Sequence, residues 1–284
     1  MVSTRFTVLR LVSAALLSAA LLTACGRSST THTSGSGSRH RVQSTVTAAT
    51  SSTPAKPLPP ATHTSCRSVV YIGDSTSDGE ASAEFVPNWR LRAPAQLLKV
   101  GVRTTHMEVS GARSIHELYK GIPNGAMVAR RQISAGFHGC WILALGTNEA
   151  ADVAAGSMFG LRTRIAQMMS IIGNQPVLWV NTITLPNAAR FYSEAGMRQW
   201  NDDLLAACGK YPMMRVFDWA AHAKPSWFIP DGIHYTPAGY IVRTHLIAHA
   251  LVEAFPRPRP LTFADVLGEA FPRKRAAGAS CLVR

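Results

Sequence analysis

Apolar residues are spread unevenly along this chain. A compact run fills 11–22, large apolar side chains almost vanish over 26–64, and from 66 to about 255 short β-branched runs alternate with longer stretches of helical period. Short apolar runs bounded by turn residues predict five strands, at 68–73, 103–109, 140–145, 176–182 and 215–218. The longer stretches predict helices at 91–100, 126–135, 159–172, 193–208 and 237–255. In the last of these, Thr236 supplies an N-cap oxygen and Pro237 fills the first helical position. Strands that are apolar on both faces and separated by helices belong to a parallel sheet covered on both sides. The expected fold is therefore α/β: a flavodoxin-like three-layer α/β/α sandwich with a five-stranded parallel sheet, strand order 2-1-3-4-5.

The apolar run at 11–22 follows Arg5 and Arg10 and leads into Leu22-Thr23-Ala24-Cys25. A basic start, a short apolar stretch and small residues before a cut describe a secretory signal over 1–24. With cysteine after the cut, the site resembles a bacterial lipobox, in which Cys25 carries the lipid and begins the mature chain; an ordinary signal with an incidental cysteine is the alternative. The run is shorter than the roughly 20 residues of a spanning helix. The expectation is an extracytoplasmic protein held at the cell membrane by a lipid anchor. Residues 25–65 then read as a Ser/Thr/Pro-rich spacer with too little apolar surface to fold. The tail 256–284 is basic and Pro-rich, and is expected to be irregular apart from a short helix at 262–271.

Cysteine use and charge refine this picture. Five cysteines less Cys25 leave Cys66, Cys140, Cys208 and Cys281, an even number that suits two disulfides in an exported chain. Three connectivities exist; the expected one joins Cys140 to Cys208 and Cys66 to Cys281. No pair has the close spacing of metal ligands, so no metal is expected. The net charge is +13, but much of the excess lies in the two tails and no nucleic-acid motif accompanies it. Attraction to an anionic envelope surface, or simple solvation of the tails, accounts for the charge without nucleic acid.

Chemistry-bearing residues recur at predicted strand ends. Gly73-Asp74-Ser75 follows the first strand, Gly111 the second and Gly146-Thr147-Asn148 the third, while Asp231-Gly232-Ile233-His234 precedes the last helix. Ligands of open α/β sheets bind at the carboxyl ends of strands. Acyl transfer needs a nucleophile, a base, an acid that orients the base, and donors for the oxyanion. Ser75, His234 and Asp231 fit the first three roles. The N–H groups of Ser75 and Gly111 and the amide of Asn148 fit the last.

In these motifs the chain resembles the SGNH (GDSL) hydrolases, over about 66–255. The resemblance implies the sandwich fold, catalysis by Ser75, His234 and Asp231, and an oxyanion hole of Ser75, Gly111 and Asn148, with no cofactor. Thr76 stands where the family name has leucine. The wording Asp-Gly-Ile-His-Tyr-Thr-Pro-Ala-Gly is similar to SGNH domains acting on acyl groups of cell-surface polysaccharide. The implied function is an exported serine esterase that cleaves small acyl esters from envelope carbohydrate or glycolipid. An acyltransferase using the same residues and a non-catalytic binding lipoprotein are the alternatives. Asp74 is expected to order the nucleophile turn, Arg113 is left either on the surface or facing an anionic substrate, and Trp89, Tyr192, Trp200 and Trp227 are read as core.

Overall fold

The computed structural model describes residues 61–258 and 280–284. The expected signal segment, Cys25, most of the spacer and the helix expected at 262–271 lie outside these residues.

Six parallel strands form one sheet: β1 (Ser68–Gly73), β2 (Thr104–Val109), β3 (Cys140–Ala144), β4 (Val177–Val180), β5 (Met214–Phe217) and β6 (Leu282–Val283), in the order β2-β1-β3-β4-β5-β6. The first five stand where the apolar runs place them and in the expected order. The sixth corrects the expectation of five strands and of an irregular tail. Two residues carry no legible period, and they enter the sheet only because Val216 pairs with Leu282 and Phe217 with Val283.

Side chains alternate across the sheet, as the two-residue period of a strand requires. Val69, Tyr71, Ile142, Leu178 and Phe217 point into one core with α2 (Ala93–Lys99) and α8 (Pro237–Ala254). Val70, Ile72, Trp141, Leu143 and Trp179 point into the other with α3 (Gly125–Ser134), α5 (Leu161–Ile172) and α6 (Glu194–Cys208). Both faces are therefore covered, and β1, β3 and β4 are almost wholly buried. Three shorter helices, α1 (Asp78–Ala81), α4 (Thr147–Ala154) and α7 (Trp219–His222), were not expected as elements with bounds, being one or two turns long.

The disulfides join Cys66 to Cys140 and Cys208 to Cys281, which corrects the expected pairing. Strand adjacency explains it. Val69 of β1 stands opposite Cys140 in the parallel register, so Cys66 reaches the same edge. Cys281 precedes β6, which lies beside β5, and Cys208 ends the helix that feeds β5. The second bridge thus fixes the tail strand. The entry to the domain is ordered as well: Thr64 is buried and forms an antiparallel bridge with Pro256.

Candidate active site

Gly73 ends β1, and Asp74 then caps a 3-10 turn over Ser75–Ser77. One carboxylate oxygen of Asp74 accepts from the Thr76 N–H at 2.8 Å and the Thr76 hydroxyl at 2.7 Å. Asp74 therefore orders the turn, and its complete burial pushes its carboxyl above the usual range. Ser75 is left at the head of the turn. Two side chains of α8 hold this turn from below: the Tyr240 hydroxyl donates to the Ser75 carbonyl at 3.2 Å and Arg243 donates to the Thr76 carbonyl at 3.2 Å. Arg243 also pairs with Glu80, which accepts from the Tyr71 hydroxyl. No pattern in the sequence singles out Arg243 or Glu80.

The loop before α8 supplies Asp231 and His234. Asp231 Oδ1 accepts from the N–H groups of Ile233 (2.8 Å) and His234 (3.0 Å), which closes the loop on itself. Its Oδ2 lies 2.6 Å from His234 Nδ1. Burial works to raise the Asp231 carboxyl, but the hydrogen bonds from His234 and Ile233 outweigh it and hold it below the usual range. An ionised Asp231 can only accept, so His234 Nδ1 carries a proton and donates to it. His234 Nε2 is 2.8 Å from Ser75 Oγ, across 159 residues of sequence, and in the neutral ring with its proton on Nδ1 the hydroxyl is the donor. Serine, histidine and aspartate thus form one chain of hydrogen bonds, the arrangement that nucleophilic catalysis by a serine requires.

The third strand end brings Asn148, in the first turn of α4. Its Nδ2 donates to the Arg113 carbonyl at 3.1 Å, and its Oδ1 accepts from the Tyr192 hydroxyl at 3.2 Å. The carbonyl accepts only, so this pair fixes the amide's orientation and leaves one Nδ2 hydrogen for a ligand. The chain can turn into α4 here because Gly146 has no side chain: a Cβ would fall 2.1 Å from Trp200 Nε1. At Gly111, by contrast, a Cβ would meet no heavy atom within 4 Å. The fold does not demand glycine there, and the space stays open to a ligand. Ala112 follows in the left-handed region at φ 54°, a conformation that costs a non-glycine residue about 1 kcal/mol or more. Neither the Ser75 nor the Gly111 N–H donates to a protein acceptor among the described residues.

These groups meet in a cleft of about 290 Å³ lined by Ser75, Ala112, Thr147, Asn148, Tyr192, Ile233 and His234. Three sequence readings change, those of Tyr192, Arg113 and Trp89. Tyr192, taken as core, lines the cleft and holds Asn148; its place in the loop after β4, at the carboxyl edge, was the signal available. Arg113 neither lies on the surface nor faces the cleft. It is buried and donates to the carbonyls of Glu108 and Pro123 as a strut under the Gly111 loop. Trp200 is core, whereas Trp89 is 57 % exposed.

Beside the site, Glu149 is fully buried; one oxygen accepts from the Ile115 N–H at 2.6 Å and the other has no partner. Burial, reinforced by the nearby Asp74 charge, pushes its carboxyl up to about 8.

By sequence the chain matches no family model and no curated protein. By structure it is similar to a protein from Agrobacterium tumefaciens provisionally named an arylesterase, at 16 % identity and a TM-score of 0.54 over 66 % of this chain and 100 % of that one. It is also similar to a lipase/acylhydrolase from Enterococcus faecalis, at 14 % identity and a TM-score of 0.51 over 68 % and 100 %. Likeness at such identities establishes the fold alone, the three-layer α/β/α sandwich around a parallel sheet.

Proposed function

We propose that this protein is a serine esterase that releases small, acetyl-like acyl groups from carbohydrate or glycolipid of the cell envelope. The observation that carries the reading is the continuous chain Asp231–His234–Ser75, with contacts of 2.6 and 2.8 Å. Ser75 Oγ attacks the ester carbonyl as His234 Nε2 takes its proton, and Asp231 stabilises the imidazolium. The oxyanion is met by the N–H groups of Ser75 and Gly111 and by Asn148 Nδ2. His234 then protonates the leaving alcohol, giving an acyl-Ser75 intermediate, and in the second half activates water to release the acid.

A small acyl group is supported by the cleft, whose roughly 290 Å³ sits at the low end for ligand pockets. A carbohydrate alcohol is supported by the sequence wording around His234 and by Phe191, 37 % exposed next to Tyr192. We place the protein outside the cytoplasm, anchored through Cys25; the two disulfides favour an oxidising compartment.

The test is acetate release from an aryl acetate by the purified protein, together with labelling by a serine-directed phosphonate. Ser75→Ala is expected to abolish both. If the unaltered protein releases no acid from any aryl ester and no label reaches Ser75, the esterase reading is wrong. Incubation with an envelope extract, followed by mass spectrometry of the released acids, identifies the acyl group.

A further inference from the structure

From Phe85 to Met107 the chain carries Arg90, Arg92, Lys99 and Arg103 and no aspartate or glutamate. The fold brings two more cations beside this face, Arg67 at the surface and Arg257 with one guanidinium nitrogen buried. The Arg103 N–H donates to the Arg67 carbonyl at 2.7 Å, and the Arg257 N–H donates to the His63 carbonyl at 2.9 Å. None of the six forms an ion pair among the described residues. Between the cations lies apolar surface. Trp89 is 57 % and Leu98 60 % exposed, and together with Pro94 and Val102 they line a groove of about 360 Å³, larger than the active-site cleft. The Arg90 guanidinium lies 5.0 Å from the centre of the Trp89 ring.

We propose that this face, built on α2 and the turns at its two ends, docks on the surface of an anionic bilayer. Cations alone would suit any polyanion. An exposed indole and leucine set among them, with no acid in the stretch, are the composition of a surface that seats at the headgroup level with its apolar groups inserted. The path of the chain points the same way. The domain begins here: the Thr64 N–H donates to the Val100 carbonyl at 2.9 Å, and Arg67 donates to the Gly101 carbonyl at 3.3 Å. The preceding segment, with its apolar run at 11–22, is therefore joined to the domain at this same face. No residue of the face lines the cleft. Arg67 and Arg103 precede β1 and β2 whereas Ser75 follows β1, so these two cations stand at the other end of the six residues of β1 from Ser75, roughly 20 Å along the strand. The proposal does not depend on the esterase reading.

Hydrogen exchange of the full chain tests it, because exchange locates contact regardless of how the N-terminus associates. With phosphatidylglycerol vesicles, peptides covering 86–104 are expected to exchange several-fold more slowly than with phosphatidylcholine vesicles, and a peptide over α6 is expected not to change. High salt and the double variants Arg90→Glu/Arg103→Glu and Trp89→Ser/Leu98→Ser should each remove the protection while leaving aryl-ester turnover as it was. No protection, or equal protection on both vesicles, overturns the proposal. So does equal protection by soluble heparin that survives Trp89→Ser/Leu98→Ser, which would make the face a site for anionic polymer.

Discussion

Arg243 and Glu80 form an ion pair whose side chains are 3 % and 0 % exposed, and the same guanidinium nitrogen donates to the Thr76 carbonyl of the nucleophile turn. Through Arg243 and Tyr240, α8 fixes the turn that carries Ser75, while the loop leading into α8 fixes His234. One helix thereby sets both ends of the 2.8 Å contact between His234 and Ser75. Breaking a buried pair leaves an uncompensated charge and typically costs about 3–5 kcal/mol. Arg243→Met and Glu80→Gln are each expected to lose stability of that order in urea titrations. At temperatures where the variants remain folded, phosphonate labelling of Ser75 should be slowed. Arg243→Lys, which keeps the charge but loses the fork, should fall between.

Tyr192 touches Asn148 and lines the cleft, so its hydroxyl and its ring are separable. Tyr192→Phe removes a single hydrogen bond to Asn148 Oδ1. A contribution of about 0.5–1.5 kcal/mol corresponds to a fall in kcat of roughly 2- to 10-fold with KM little changed. Asn148→Ala removes the proposed oxyanion donor itself and should cost on the order of a hundredfold in kcat. Steady-state kinetics on one aryl ester compares the two.

Two glycines at strand ends should behave oppositely. Gly146→Ala drives a Cβ to within 2.1 Å of Trp200 Nε1, on a fully buried indole. It is expected to destabilise by about 1–3 kcal/mol, as overpacking does, and to lower the melting temperature. Gly111→Ala meets no protein atom within 4 Å, so stability should change by less than about 0.5 kcal/mol. Turnover should nevertheless fall, because the new methyl occupies space beside the oxyanion donor.

Glu149 ties stability to pH. In the folded protein its carboxyl keeps its proton up to about 8, against an ordinary value of 4.5. The folded state binds the extra proton, so the contribution is fully present below 4.5 and is lost as pH rises through about 8. Glu149→Gln should be close to neutral at low pH and more stable than the parent by a few kcal/mol at high pH. Urea midpoints of both proteins at about pH 5 and pH 9 give the comparison. A difference independent of pH would refute it.

The disulfide pairing is directly checkable. Non-reducing peptide mapping should find Cys66 linked to Cys140 and Cys208 linked to Cys281. Each bridge closes a loop of more than 70 residues, and removing one by paired Cys→Ala changes should cost about 2–5 kcal/mol. Loss of the second bridge should also raise exchange in β6, whose two residues have few other ties.

The sequence by itself determined the layers, the first five strands, and the identity of the polar groups at the carboxyl edge; the order of those strands is a matter of which of them pair, and the tertiary structure decides it. Ser75, Gly111, Asn148, Asp231 and His234 were legible because each is a small or polar interruption after an apolar run or before a capped helix, and those interruptions mark where strands end. Local period encodes such features directly. Tertiary structure decided what depends on which elements become neighbours. Leu282 and Val283 are a strand only beside β5, and Cys66 meets Cys140 because β1 and β3 adjoin in register. Arg243 and Glu80 are locally unremarkable, since a buried pair is defined by two helices packing together. By sequence Tyr192 and Trp89 both read as core aromatics; the same side chain can fill a core, line a cleft or face solvent, and only the packing around it makes the choice.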